Sequence, residues 1–137
     1  MQAFGRRRTL VLMLVALPWV LGMGSLGGQD VIQPAVDFRA RLIDRDETVV
    51  ELKRVNIGGR VVLEGDYGRG NLRVAFENIE RIEFENEPRG RTVATVHLTG
   101  GEQVSMRLPN SLSFYGQTDI GLYQIRARDL QRLEFVR

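Results

Sequence analysis

Two groups of carboxylates lie close together in this chain: Asp44, Asp46 and Glu47 in one short stretch, and Glu77, Glu80, Glu83, Glu85 and Glu87 in another. Paired acids can hydrolyse a glycosidic bond, and clustered acids can hold calcium. The first group lacks the alternating D-x-D-x-D-G order of a calcium loop. The glutamates of the second alternate with Arg81 and with apolar residues, as the solvated face of a strand does. No metal site is therefore expected. His97 is the sole histidine. It alternates with Ala94, Val96 and Leu98 and so belongs to the solvated side of a strand, with no nucleophile or orienting group nominated beside it. Gly65-Asp66-Tyr67-Gly68-Arg69-Gly70 has the order G-x-x-G-x-G. No Lys-Ser/Thr pair and no helix follow it, so it is not a phosphate loop. Gly65 and Gly70 recur at Gly116 and Gly121, which points to turn geometry with positive φ. Tyr67, Arg69 and Tyr115 remain. These residue types favour interface contacts, and they form the candidate interaction site. No catalytic residue and no cofactor is expected.

The elements that must position these residues come in two copies. Val61–Phe84 aligns with Leu112–Phe135 at a constant offset of 51 residues, without a gap. Gly65/Gly116, Gly70/Gly121, Arg81/Arg132, Glu83/Glu134 and Phe84/Phe135 are identical, and Leu63/Phe114, Val74/Ile125 and Ile82/Leu133 are conservative. A fixed internal period reports architecture. Apolar residues before and within the copies alternate with period two, as at Phe38, Ala40 and Leu42, and this predicts strands. In Ile79, Ile82 and Phe84 the spacing is three, then two. A single 3₁₀ turn leading into a strand would put all three on one core. Leu130, Leu133 and Phe135 repeat that spacing. Aligning Val49 with Val104 suggests that the second copy has lost four residues near Pro109-Asn110-Ser111.

The order strand, turn, strand, loop, strand, loop, strand, 3₁₀ turn, strand resembles the SH3-like small barrels. Among them it is similar to the PRC-barrel and Sm-like types, in which a similar acidic turn precedes the last strand. The resemblance implies an all-β fold of two tandem SH3-like repeats packed together, over residues 37–87 and 88–137. Such barrels serve mostly as binding and assembly modules.

Residues 1–28 read as a secretory signal peptide. Arg6-Arg7-Arg8 precede an apolar run from Thr9 to Met23, and small residues follow at Gly24, Ser25, Gly27 and Gly28. Cleavage fits after Gly24 or Gly27, and residues 29–36 would then be a linker. A retained segment 10–26 would instead tether the protein to a membrane. The whole chain has 19 basic and 17 acidic residues. Without Arg6–Arg8 the balance is 16 against 17, a formal net of −1, and the support for a nucleic-acid partner disappears. Cysteine is absent, so disulfides, thiolate metal sites and thiol nucleophiles are excluded. These observations lead to a non-enzymatic exported binding or assembly module of the bacterial cell envelope, periplasmic or secreted, whose partner is another envelope protein. The alternatives are a small exported hydrolase using the acidic residues, and a signal-anchored envelope protein.

Overall fold

The computed structural model describes residues 36–137. The expected signal segment and nearly all of the linker lie outside the described residues. Period-two patterning does produce strands throughout. They are β1 (Arg39–Asp44), β2 (Val49–Asn56), β3 (Val62–Tyr67), β4 (Gly70–Ala75), β5 (Ile79–Glu87), β6 (Arg91–Leu98), β7 (Gln103–Pro109), β8 (Ser113–Gln117), β9 (Leu122–Arg126) and β10 (Leu130–Val136). One 3₁₀ turn, Phe76–Asn78, precedes β5, and another, Ala127–Asp129, precedes β10. The fold is all-β, a single antiparallel sheet in the order β9-β8-β2-β1-β10-β5-β6-β7-β3-β4. Among the described residues there is no α-helix.

The 3₁₀ turns act as their spacing requires. Ile79, Ile82 and Phe84 are buried, and so are Leu130, Leu133 and Phe135. Each turn brings one further apolar residue, Phe76 or Ala127, into the same core. The start of each turn is fixed by one backbone bond: Phe76 N–H donates to Val61 O at 3.0 Å and Ala127 N–H to Leu112 O at 2.7 Å. Short turns with left-handed residues join the hairpins, as at Arg89 (φ 73°) and Gly90 (φ 76°) between β5 and β6.

The two copies interleave, with no break in the sheet at the copy boundary. At the centre Leu133 pairs with Ile82, flanked by Arg132–Glu83 and Glu134–Arg81, so β10 and β5 are related by a local twofold. On either side stand strands of the opposite copy, β1 beside β10 and β6 beside β5. Farther out, the hairpin β3–β4 of the first copy pairs with β7 of the second, where Asp66 faces Arg107. The hairpin β8–β9 of the second copy pairs with β2 of the first, where Gln117 faces Lys53. The 3₁₀ turns follow the same exchange. Thr99 N–H donates to Asn78 O and Arg45 N–H to Asp129 O, both at 3.0 Å, so each turn is bound to the other copy's first hairpin.

Both crossovers are held by asparagines. Asn56 is buried; its Nδ2 donates to Arg54 O at 2.9 Å, and its Oδ1 accepts from Gly59 N–H at 2.8 Å. At the other crossover Asn110 N–H donates to Gly90 O, and the buried Thr92 hydroxyl lies 2.6 Å from the Asn110 side chain. Burying such groups is tolerable because each finds a partner. The pairings also revise the loss between copies. Leu42 pairs with Val50 and Val96 with Val104, while Leu133 and Ile82 pair with Leu42 and Val96. Val50, not Val49, is therefore the counterpart of Val104, and three residues are missing rather than four. Part of the surplus is a bulge in β2 around Arg54, a non-glycine residue at φ 54°. Asp37 accepts the Arg54 N–H at 2.8 Å. That bond is the main cause holding the Asp37 carboxyl below its ordinary range; desolvation opposes it, and Arg39 beside it adds to it.

The recurring glycines have a different role from the one expected. Gly65, Gly70, Gly116 and Gly121 are not among the positive-φ glycines. Gly65 and Gly116 lie inside β3 and β8, and the tight turn of the first hairpin is at Gly68-Arg69 instead. Each permits a close approach to the other copy. A Cβ on Gly65 would lie 2.8 Å from Arg107 O and 2.8 Å from Leu108 Cδ2, and one on Gly116 would lie 2.9 Å from Leu52 Cδ1. A side chain can turn aside and a backbone carbonyl in a ladder cannot. Gly65→Ala is therefore expected to cost about 1–3 kcal/mol, more than Gly116→Ala. Urea unfolding of the two variants measures the difference, and equal losses would refute the backbone-clash argument.

Candidate functional site

The described residues offer three surfaces to weigh, beginning with the acidic stretch. Along β5, Ile82 and Phe84 point inward, so Arg81, Glu83 and Glu85 stand on the outer face. Glu80 lies 3.8 Å from Arg81, and Glu87 accepts from Arg107 Nε at 3.0 Å. His97 is on this outer face, as the alternation predicts. Its Nε2 is 3.0 Å from Glu83 Oε1, and Arg81 Nε is 3.9 Å from Glu83 Oε2. The hydrogen bond from His97 is the main cause holding the Glu83 carboxyl below its ordinary range; desolvation opposes it, and the charges of His97, Arg81 and Arg132 add to it. A general acid needs the opposite shift.

A depressed carboxyl stabilises the fold fully above its unfolded-state pKa and loses that contribution as pH falls through the folded value. His97→Gln is expected to move the Glu83 midpoint upward and so raise the pH at which the contribution fades. Side-chain carboxyl chemical shifts followed through an acid titration measure the midpoint. An unmoved Glu83 would mean that the histidine contact is not formed in solution.

A groove of about 660 Å³ lies between the β1–β2 turn and β9, lined by Asp44, Arg45, Asp46, Gln124, Ile125, Arg126 and Asp129. Asp44, Arg45, Arg126 and Asp129 are already engaged by the protein. Asp44 Oδ1 accepts from Asp46 N–H at 2.8 Å and Thr48 N–H at 2.9 Å, as a turn-forming aspartate does. Arg45 donates to Phe84 O at 2.8 Å, and Arg126 lies 3.4 Å from Asp129. Burial, with Asp44 and Asp129 nearby, holds the Tyr123 hydroxyl above the ordinary phenol range. Among the described residues no three His, Cys, Asp or Glu side chains are placed to hold a metal ion.

The third surface is formed by the outer hairpins. Tyr67 is 54% exposed beside the exposed Arg69, both at the tip of β3–β4. Tyr115 is 37% exposed on β8, whereas Phe114 before it is buried against Phe84. The three candidate interface residues are not brought together: six strands stand between β8 and β3 in the sheet order. The hairpin that carries Tyr115 exposes further apolar residues. Leu122 is 67% exposed on β9, paired with Gln117, and Ile120 is 98% exposed in the β8–β9 turn. Neither was among the expected site residues. The signal was legible in the alignment of the copies, which sets Ile120 against Arg69 and Leu122 against Asn71.

The model of a protein family described as "Uncharacterised protein" matches residues 34–137, a span that includes the ten strands of the described residues. The chain belongs to this family. No curated protein matches the chain. The family thus encompasses both copies and both crossovers as one unit, and its description assigns no chemistry to the surfaces above.

Proposed function

We propose that this protein is a non-enzymatic binding or assembly module exported to the bacterial cell envelope, built on two SH3-like barrels that share their strands. In this reading one barrel comprises β10-β1-β2-β8-β9 and the other β5-β6-β7-β3-β4. Each then has the strand order and the 3₁₀ turn of such a barrel, assembled from both copies. The observation that carries the functional reading is the exposure of Tyr67, Arg69 and Tyr115 on the outer hairpins, where the core needs none of them. Tyrosine and arginine are residues that anchor interfaces, while Glu83 and His97 are bound to each other.

Export rests on the order of Arg6–Arg8, the apolar run and the small residues after it. Mass spectrometry of the protein recovered from its host tests this part: a chain starting at Ser25 or Gly28 supports it, and retention of residues 10–26 replaces it with a membrane-tethered form. Tagged protein incubated with envelope extract tests the partner. The wild type should retain a reproducible envelope protein that the combined variant Tyr67→Ala/Arg69→Ala/Tyr115→Ala loses. Recovery of none would count against the module. Duplex DNA should not bind near physiological salt, because the outer faces interleave Arg81 and Arg132 with Glu83 and Glu134 and offer no basic stripe.

A further inference from the structure

The hairpins β3–β4 and β8–β9 are copies of one another, so each is an internal control for the other. In the first, Glu64, Asp66, Arg69 and Arg73 carry charges, and Arg73 Nε lies 3.3 Å from Glu64. The corresponding positions in the second hold Tyr115, Gln117, Ile120 and Gln124, with Leu122 in place of Asn71. Those four charges are gone, Asp119 and Arg126 stand where the first has Gly68 and Ala75, and Ile120 and Leu122 add apolar surface. The hairpins also occupy equivalent sites in the fold, because among the described residues β4 and β9 are the two edges of the sheet. An edge presents unpaired backbone groups, and charged side chains are a usual means of keeping other chains off it. Each edge strand carries one arginine, Arg73 on β4 and Arg126 on β9, but only β9 also exposes a large aliphatic side chain, Leu122.

We propose that β9 pairs edge to edge with β9 of a second copy of this chain, forming an isologous antiparallel dimer centred on Gln124. Three features select a second copy as the occupant. A twofold contact sets each patch against itself, so the patch must be close to neutral, a condition that a different partner would not impose. The hairpin face meets it: Lys53 and Asp119 at its rim pair with each other at 3.4 Å, and Arg126 is paired with Asp129. Centring on Gln124 also pairs the whole of β9, with Leu122 opposite Arg126, Tyr123 opposite Ile125 and Gln124 opposite itself. No like charges then face each other, and the aliphatic stem of Arg126 covers the exposed Leu122. The dimer does not depend on export or on an envelope partner.

Sedimentation velocity of the full-length protein, from micromolar to millimolar concentration, tests the pairing in a mild non-ionic detergent that takes up the apolar residues 10–26. A reversible monomer–dimer equilibrium is expected. Leu122→Arg places a second guanidinium opposite Arg126 at both ends of the contact and should raise the dimer dissociation constant about tenfold or more. Leu122→Glu places a carboxylate opposite Arg126 and should leave the constant within about threefold of the wild type. Asn71→Arg, at the matching position of the other edge, should change nothing. Leu122 is solvent-exposed, so neither substitution removes core, and circular dichroism checks the fold. The proposal fails if the wild type stays monomeric, if Leu122→Arg leaves the equilibrium unchanged, or if Leu122→Glu weakens it as much as Leu122→Arg. The last result would mark a general apolar patch without registered strand pairing.

Discussion

Phe114→Ala should cost about 3–5 kcal/mol of folding stability, the range for removing a buried aromatic ring. Phe114 is buried on β8 of the second copy and meets Phe84 of the first edge-on, with ring centroids 5.8 Å apart and planes at 84°. Its loss therefore opens a void and removes an aromatic contact between copies. Total stability for such a domain is about 5–15 kcal/mol. Without cysteine in the chain there is no crosslink to limit the unfolded state. At about 4–8 °C per kcal/mol for a domain of this size, the melting temperature should fall on the order of 15–30 °C. Calorimetry measures the fall, and a loss below about 1 kcal/mol would mean that the ring is not packed as described. A double-mutant cycle with Phe84→Ala should return a coupling of about 0.5–1.5 kcal/mol for the ring pair.

Cutting the chain in the β5–β6 turn should leave one native particle. A specific protease site placed at Pro88–Gly90 interrupts neither ladder, since β5 ends at Glu87 and β6 begins at Arg91. Of the nine adjacent strand pairs, five join strands from opposite sides of that cut: β2–β8, β1–β10, β10–β5, β5–β6 and β7–β3. The rings do so as well. Phe84 packs on Phe114, and Phe135 packs on Phe38 and Phe76 with centroids 6.0 and 5.0 Å away. Neither fragment retains a whole core, because each lacks the strands that cover its own outer hairpin. Size exclusion should show the cut protein at the uncut mass, separating into two pieces only in denaturant. Pieces that separate under native conditions would refute the interleaved sheet. Two repeats folded separately would part under the same treatment.

The sequence by itself determined the local structure. Period two placed the strands because neighbouring side chains on a strand face opposite environments, and that signal survives without knowledge of the neighbouring strand. The spacing of Ile79, Ile82 and Phe84 required a tight turn before a strand, and its repetition at Leu130, Leu133 and Phe135 identified the equivalent strand of the second copy. The outer-face position of His97 followed from the same alternation, although its contact with Glu83 leaves it half-buried, and the buried position of Phe114 followed from its alignment with Leu63. The sequence was silent on which strand pairs with which. Val62 to Tyr67 alternates in the same way beside β7 as it would beside β2, and the residues between Asn56 and Val62 suit a hairpin as well as a crossover. That choice belongs to the tertiary structure, where the sum of cross-copy packing and ladder bonds outweighs the shorter loop closure of contiguous repeats. Gly65 and Gly116 are a clear case. As isolated glycines they read as turn residues, and only the strands beside them, β7 and β2, show that the missing Cβ makes room for the other copy. The same holds for Ile120 and Leu122. Each is an ordinary apolar residue in the chain, and Leu122 lies on a sheet edge only because, among the described residues, β9 has a neighbour on one side alone.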